Sequence, residues 1–317
     1  MGSTEAVHQS GAAAELEEYR RELTAYCYRM LGSAADAEDA VQETMIRAWR
    51  SLEKFEGRSA LRSWVYRIAT NVCFDALNAG KKRARPMDIG GPGEPIVENL
   101  RELPEVTWLT PLPTPDEAAE QRDTLRLAFV AALQHLPPKQ RAALILCEVL
   151  QWQASEAAQL LETSVASINS ALQRARATLA TADIGAPAEL DAEARALLER
   201  YVAAFQEYDM EKLTALIRED AIQSMPPFDL WLRGRDDIFT WWFGPGIGCR
   251  GSKLVPAQQT ANGLPAWGQY KPSPDGGYEP WALQVIELRD GGVEELTFFL
   301  DTETLFPLFG LPPRLVA

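Results

Sequence analysis

The sequence predicts a multi-domain protein in which two all-α segments precede an α+β segment. Apolar residues recur at three- and four-residue spacing in residues 15–85 and again in residues 122–183, as in helices that pack through one face. Residues 189–317 instead contain short strand-like runs separated by glycine turns. The length of 317 residues suits two or three domains.

Three helices are expected in residues 15–85. The first carries apolar residues from Leu16 to Met30 and is broken at Gly32. The second begins near Asp36, and its expected inward stripe consists of Ala37, Val41, Ile46, Trp49 and Leu52. The third runs from about Ala60 to Ala79 and is followed by a cluster of bases.

Residues 86–121 are typical of a linker. Seven prolines and three glycines disfavour a regular core element. The segment carries 8 acids and 1 base, whereas residues 44–85 carry 3 acids and 10 bases. In a protein of net charge −14 that basic block indicates a local anion-binding face, with a solvated helix surface as the alternative. The acidic linker is either a solubilising spacer or a chain that occupies a basic cleft in place of nucleic acid.

Residues 122–183 predict four helices, and the last two form a helix-turn-helix pattern. The expected helices are Thr124–Leu136, Pro138–Leu150, Ser155–Leu161 and Val165–Leu179. A short helix, a three-residue turn and a longer helix make up the pattern. Ser164 is placed to cap the longer helix.

Residues 189–317 combine two helices with an antiparallel meander. The expected helices are Leu190–Tyr208 and Met210–Arg218. The expected strands are Ala221–Ser224, Leu230–Leu232, Ala266–Tyr270, Trp281–Leu288 and Glu294–Leu300. Helices followed by a meander predict an α+β domain.

The composition argues against several kinds of function. Four cysteines without a CxxC pair and two isolated histidines give no basis for a disulfide framework, a metal site or a cofactor. A serine-type triad is hard to assemble from His8 and His135. No apolar run approaches the roughly 20 residues of a membrane span, and the first 18 residues lack the features of a secretory signal. A soluble, cytoplasmic protein is the resulting expectation.

Several motifs carry a resemblance to a known family. Asp36–Thr44 (DAEDAVQET) and Phe55–Asn71 (FEGRSALRSWVYRIATN) resemble the promoter-melting domain of bacterial extracytoplasmic-function sigma factors. Leu136–Arg141 (LPPKQR) and the helix-turn-helix ending in Gln173–Arg176 resemble their second DNA-binding domain. The motifs occur in the family's order over about residues 15–181, which favours domains at 15–85 and 122–183 joined by the linker at 86–121.

The resemblance assigns roles to the N-terminal helices. It implies that the second helix binds core RNA polymerase through Asp36, Asp39, Gln42, Glu43 and Arg47. It implies that promoter DNA is held as single strands by Phe55, Gly57, Arg58, Ser59, Arg62, Tyr66, Arg67, Asn71, Lys81, Lys82 and Arg83. Trp64 fits the apolar stripe and is expected in the core, whereas Tyr66 is the better DNA candidate. In the family, the linker threads the active cleft and exit channel of the polymerase.

The resemblance also places the longer helix of the helix-turn-helix in a major groove. The expected contacts with DNA are Ser167, Asn169, Ser170, Gln173, Arg174 and Arg176. The chain departs from the family at Asn169 and Ala171, where a Lys or Arg is common, and at Glu162, where the turn usually has Gly. These departures predict weaker phosphate binding and less salt dependence.

Residues 189–317 resemble a SnoaL-like domain of the NTF2-like superfamily. The resemblance depends on the helix pair, the Met225–Pro227 turn and Gly234–Asp236 before a helix. Such domains are cones with a cavity, and the expected pocket residues are Asp229, Trp231, Trp242, Trp267, Trp281 and Asp301. Residues 189–317 contain no histidine, which disfavours an enzyme. Acids beside apolar residues keep acid–base chemistry as an alternative.

The sequence thus predicts a sigma factor that binds core RNA polymerase and promoter DNA. Its C-terminal domain is expected to regulate it in cis, with a small-molecule ligand as one option and without need of a separate anti-sigma protein. Two alternatives stay open. A helix-turn-helix regulator with a ligand-binding domain would bind duplex DNA without polymerase. A SnoaL-like enzyme tethered to DNA-binding helices would lose turnover in an Asp301→Asn variant.

Overall fold

The chain folds into two compact units. The structure is a computed structural model that describes residues 15–52, 55, 60–80, 83–103, 106–115, 122–181, 190–244 and 249–316. The first unit contains residues up to 83, residues 109–112 and residues 127–184, and the second contains residues 84–108, 113–126 and 185–317. The predicted fold class is confirmed, because helical segments precede an α+β domain. Within the described ranges, no helix combines the length and the apolar character needed to span a membrane.

The first unit begins with three helices, here called the N-terminal helical domain. They are α1 (Arg20–Leu31), α2 (Ala34–Ser51) and α3 (Leu61–Ala79). Gly32 ends α1 in the left-handed region, with φ 72°, and its N–H donates to the Tyr28 carbonyl at 2.7 Å. Ser33 then caps α2, since its hydroxyl accepts from the Asp36 N–H at 3.2 Å.

The face that α2 buries differs from the predicted stripe. The buried residues include Ala37, Val41, Thr44, Met45 and Ala48. Ile46 and Trp49, which were expected in the core, are 38% and 55% exposed. Both stripes have helical spacing, and they differ by a rotation of about one residue. With the observed stripe buried, small side chains of α2 approach α1 and α3 closely, and Ile46 and Trp49 face solvent.

Helices of residues 122–181 follow the predicted order with one break. They are α4 (Arg122–Leu125), α5 (Leu127–Gln134), α6 (Pro138–Leu144), α7 (Ala154–Leu160) and α8 (Val165–Leu179). The expected helix Thr124–Leu136 is divided at Arg126, and a π-helical turn, Ile145–Val149, extends α6. Helices α5 to α8, here called the helix-turn-helix domain, lie in the first unit.

The second unit is built on a six-stranded sheet. Its helices are α9 (Ala192–Glu207), α10 (Met210–Leu216), α11 (Arg235–Phe243) and α12 (Thr302–Leu308). Its strands are β4 (Ile217–Ser224), β5 (Trp231–Arg233), β6 (Lys253–Pro256), β7 (Thr260–Ala261), β8 (Ala266–Pro272), β9 (Tyr278–Arg289) and β10 (Gly292–Phe299). The sheet order is β5-β4-β10-β9-β8-β6, in which only β4 and β10 run parallel. Sequence reasoning missed β6 and β7, which are short and lie near prolines.

Most of the predicted linker lies in the second unit. We call residues 84–108 and 113–126 the strap. The short strands β1 (Arg83–Ala84), β2 (Thr107–Trp108) and β3 (Pro113–Thr114) occur along it, and β3 pairs antiparallel with β7. Residues 109–112 belong to the first unit, where the Thr110 N–H donates to the Gly32 carbonyl at 3.2 Å.

Candidate nucleic-acid interface

The exposed face of α2 mixes polar and apolar side chains. Asp39, Gln42, Ile46 and Trp49 follow helical spacing on this face, and all four are exposed. The other three predicted polymerase contacts form ion pairs: Asp36 with Arg83, Glu43 with Arg47 at 2.7 Å, and Arg47 with Asp75 at 3.3 Å. Sequence reasoning missed the two apolar members of the face because it assigned them to the core.

Tyr66 on α3 is buried, contrary to its predicted exposure to DNA. Its hydroxyl donates to a Glu22 carboxylate oxygen at 3.1 Å, and its ring lies 5.2 Å from those of Tyr26 and Trp152. Burial raises the pKa of Tyr66 well above its usual range. Trp64, expected in the core, is half-buried beside Phe55 with 5.0 Å between ring centroids. Tyr66 is therefore more buried than Trp64, which is the reverse of the predicted order.

The remaining single-strand candidates on α3 have mixed surroundings. Arg62 forms an ion pair with Glu22 at 3.2 Å, and Arg67 donates to the Gln159 carbonyl at 3.3 Å. Asn71 is exposed. Five candidates lie outside the described residues, namely Gly57, Arg58, Ser59, Lys81 and Lys82.

Helix α8 presents a polar face to solvent. Ile168, Ala171, Leu172 and Ala175 are buried, whereas the predicted DNA contacts Ser167, Asn169, Ser170, Gln173, Arg174 and Arg176 are exposed. The predicted cap is present, because the Ser164 hydroxyl accepts from the Ser167 N–H at 3.1 Å. Arg176 is held by an ion pair with Glu148. The face offers amide, hydroxyl and guanidinium groups of the kind that read base edges.

A buried arginine joins the helix-turn-helix domain to the N-terminal helical domain. Arg141 is 2% exposed, and its guanidinium donates to the Gln134 side-chain oxygen at 2.7 Å and to the Gln134 and Leu136 carbonyls at 3.1 Å. It also donates to the Met30 carbonyl at the end of α1. Burial lowers the pKa of Arg141 to about 10, so the group keeps its charge at neutral pH. Sequence reasoning used this residue only as part of a motif.

The six predicted pocket residues have separate surroundings. Trp231 and Trp242 are buried, with indole N–H groups that donate to Gly90 and Gln223. Asp301 caps α12, where its carboxylate accepts from the Thr304 N–H at 3.3 Å. Asp229 is half-buried, and its N–H donates to the Arg101 carbonyl at 3.0 Å. Trp281 stacks against Lys271, whose ammonium lies 4.5 Å from the ring centroid.

Of the six predicted pocket residues, Trp267 lines a cleft of the second unit. This cleft has a volume of about 550 Å³ and lies between α9 and strands β6 and β8. Its walls include Leu198, Val202 and Pro256. The other five residues do not line this cleft, and the shared pocket stays a prediction.

A chain of buried side-chain amides fills part of the second unit's interior. Tyr201 donates to Gln284 at 3.3 Å, Gln284 donates to Gln269 at 2.9 Å, and Gln269 donates to Ser252 at 3.1 Å. All four side chains are buried. The network contains neither a carboxylate nor an imidazole, and a chain of satisfied buried amides is suited to specifying the packing.

Two carboxylates of the sheet meet arginines of the strap. Glu287 and Glu295 are register partners in the β9–β10 ladder. Arg126 of the strap forms a buried ion pair with Glu287. Burial raises the pKa of Glu295 to about 7; Glu287 and Glu294 act in the same direction, while the charge of Arg85, also in the strap, opposes it. Sequence reasoning missed this cluster, because its members are far apart in the chain.

The two helical domains, the second a helix-turn-helix with a polar outer face, match models of sigma-70-type transcription initiation factors. Residues 16–83 match Sigma-70 region 2, and residues 126–179 match Sigma-70, region 4. The chain is 44% identical to the ECF RNA polymerase sigma factor SigG of Mycobacterium tuberculosis (strain ATCC 25618 / H37Rv), over 96% of this chain and 84% of that protein. It therefore belongs to the family of ECF RNA polymerase sigma factors.

Two further matches concern SigJ of the same organism. The ECF RNA polymerase sigma factor SigJ is 27% identical over 88% of each chain. The crystal structure of SigJ superposes with a TM-score of 0.60 and 22% identity, covering 94% of this chain and 99% of that one. This second likeness shows that the fold, including a domain after the helix-turn-helix, is shared.

Proposed function

We propose that the C-terminal domain of this sigma factor controls it in cis by holding the strap. The main support for this proposal is that residues 84–108 and 113–126 belong to the same compact unit as the α+β domain. In the family that this sequence resembles, the corresponding linker threads the polymerase cleft. A strap bound to its own C-terminal domain is withheld from that path, and this proposal does not require a separate anti-sigma protein.

The contacts of the strap with the α+β domain support this proposal. The Trp231 indole donates to the Gly90 carbonyl, and the Trp231 carbonyl accepts from the Gly93 N–H at 2.9 Å. Further along, the Thr260 hydroxyl donates to the Thr114 carbonyl at 2.7 Å. The Arg126–Glu287 ion pair adds a charged contact with both partners largely buried, where breaking one side leaves an uncompensated charge.

We further propose roles for three surfaces of the first unit. The exposed face of α2 binds core RNA polymerase, with Trp49 as an apolar anchor amid Asp39 and Gln42. Residues of α3, with Arg62, Arg67 and Asn71 foremost, hold the opened promoter strand. The outer face of α8 reads duplex DNA in a major groove.

The test is the affinity for core RNA polymerase of the full chain and of three full-length variants, measured by anisotropy of a fluorescently labelled sigma factor. Glu287→Gln and Thr260→Val each remove one strap contact, and Glu303→Gln is a control on an exposed carboxylate of α12. Tighter binding by both strap variants supports inhibition by the C-terminal domain. Weaker binding by both means that the held strap is part of the working factor, and wild-type affinity in both contradicts control through the strap.

A further inference from the structure

We infer that Arg141 and Trp152 latch the helix-turn-helix domain onto the N-terminal helical domain, so that Arg62, Tyr66 and Arg67 of α3 are engaged by protein contacts while the duplex-reading face of α8 stays open. This inference depends on the proposed roles of α3 and α8. It predicts an order of events, in which duplex DNA is bound first and the melted strand is bound only after the latch opens.

The first half of the latch is at the C-terminal end of α1. The last carbonyls of a helix have no partner within the helix and carry partial negative charge. The Tyr28 carbonyl is satisfied locally by Gly32, but those of Arg29 and Met30 accept from Gln134 and Arg141 of the helix-turn-helix domain. A guanidinium at this position also complements the helix dipole. Separation of the two domains would leave both carbonyls and the cation in need of new partners.

The second half of the latch is Trp152, which lies between the π-helical turn and α7. Its ring contacts Tyr66, and the Arg62 guanidinium lies 5.4 Å from the Trp152 ring centroid, within reach of a cation–π interaction. Arg67 adds a hydrogen bond to the Gln159 carbonyl of α7. The helix-turn-helix domain thus contacts three of the candidate single-strand residues on α3.

The proposed DNA-binding faces of α8 and α3 differ in how accessible they are in the latched state. The side chains of α8 from Ser167 to Arg174 that are proposed to read DNA are exposed in the latched state. Arg62, Tyr66 and Arg67 are engaged in that same state. The apparent affinity for a single strand is therefore reduced by the fraction of molecules that are open, whereas the affinity for duplex DNA is not.

The test compares two probes on the full chain by fluorescence anisotropy: a labelled single strand of 20 thymines and a labelled mixed-sequence duplex of 30 base pairs. The latch variants are Trp152→Ala and Arg141→Lys; Lys keeps the charge but cannot reproduce the fork of donors. Arg20→Ala, which removes an exposed ion pair with Glu17 in the same domain, is the matched control. Circular dichroism establishes that each variant is folded.

Either latch variant is expected to bind the single strand about tenfold more tightly, with duplex affinity and the Arg20→Ala control unchanged. Amide hydrogen exchange in residues 61–71 should accelerate in the same variants. If Arg141→Lys unfolds, Trp152→Ala decides alone, because the Trp152 indole N–H has no hydrogen-bond partner among the described residues. A folded Trp152→Ala protein with wild-type affinity for the single strand overturns the latch, as does an equal gain for both probes.

A double variant separates failure of the latch from failure of the proposed function. Arg67→Ala added to Trp152→Ala should cancel most of the gain for the single strand. A gain that survives in the double variant keeps the latch and removes Arg67 from the proposed strand-binding site. If Trp152→Ala binds the single strand more tightly and the double variant does not, the result supports both the latch and the strand-binding role of Arg67.

Discussion

The indole N–H of Trp231 donates a hydrogen bond of 2.8 Å to the carbonyl oxygen of Gly90, 141 residues earlier in the chain. Trp231 is 5% exposed and Gly90 is exposed, so a tryptophan of the core holds a residue at the surface of the unit. One tryptophan of β5 thereby fixes a glycine-rich part of the strap, a segment that composition alone would leave unstructured.

Trp231→Phe should loosen the strap. Phenylalanine keeps the apolar ring in the core but has no N–H, so the Gly90 carbonyl loses its partner at a cost of about 1 kcal/mol. Amide hydrogen exchange in residues 86–100 should accelerate by about fivefold, because a loss of about 1 kcal/mol raises the opening equilibrium by that factor. Trp281→Phe is the control, because the Trp281 ring stacks against Lys271. Unchanged exchange in Trp231→Phe would show that the strap is held by its other contacts.

Trp49→Ala should weaken binding to core RNA polymerase at least tenfold. Large aromatic residues that become buried in an interface often contribute 2 kcal/mol or more, and Trp49, the one aromatic residue of α2, is 55% exposed. Its removal should leave the melting temperature nearly unchanged, since the side chain contributes little to the core. Ile89→Ala, at an exposed apolar residue of the strap, is the comparison. Equal affinities for Trp49→Ala and wild type would exclude this face as an anchor.

Glu295→Gln should flatten the pH dependence of the second unit's stability. The pKa of Glu295 is about 7 in the folded protein, compared with 4.5 for an ordinary Glu, so the folded state binds more protons between these values. Stability of the wild type therefore falls as pH rises from about 4.5 to 7, and glutamine removes that loss. Thermal unfolding at pH 5, 6, 7 and 8 measures it. Parallel curves for variant and wild type would contradict the raised pKa, and Glu303→Gln should reproduce the wild-type curve.

The sequence predicted the features that leave a local pattern. Helical spacing predicted α1 to α3 and the helix-turn-helix, and the turn chemistry at Gly32 and Ser164 predicted how helices end and begin. The predicted orientation of α2 was wrong. A rotation of the helix by about one residue decides whether Thr44 and Met45 or Ile46 and Trp49 are buried. Hydropathy alone cannot decide between them when the neighbouring helices require small side chains.

Contacts between distant residues left no such pattern. Arg141 looks like an ordinary basic residue in a motif, and its burial depends on carbonyls of α1, more than 100 residues away. Composition predicted an acidic linker, but the carboxylate that pairs with Arg126 of the strap is Glu287, in a strand near the other end of the chain. The six predicted pocket residues have separate surroundings for a related reason: the sequence shows which residues are aromatic, but their neighbours depend on which strands pair.

Glu162→Gly should stabilise the helix-turn-helix domain. Glu162 has a φ of 51°, a left-handed conformation in which a β-carbon costs about 1 kcal/mol. Glycine relieves this strain but gives up some of the gain through the greater freedom of its unfolded chain, so the net increase should be a few tenths of a kcal/mol to about 1 kcal/mol. Glu162→Ala separates geometry from charge, since alanine keeps the β-carbon. Denaturant unfolding that shows the same gain for both variants would assign the effect to charge.

Asn169→Lys should strengthen DNA binding by α8 and make it more sensitive to salt. Asn169 is exposed on the outer face of α8, at a position where the resembling family commonly carries a base. Each added phosphate contact releases counterions and steepens the slope of log affinity against log salt by about 0.9. Binding of a 30-base-pair duplex, titrated from low to physiological salt, measures that slope. Asn169→Gln, which preserves the amide without adding charge, should retain the wild-type slope, and an unchanged slope in Asn169→Lys would mean that this position does not approach the phosphates.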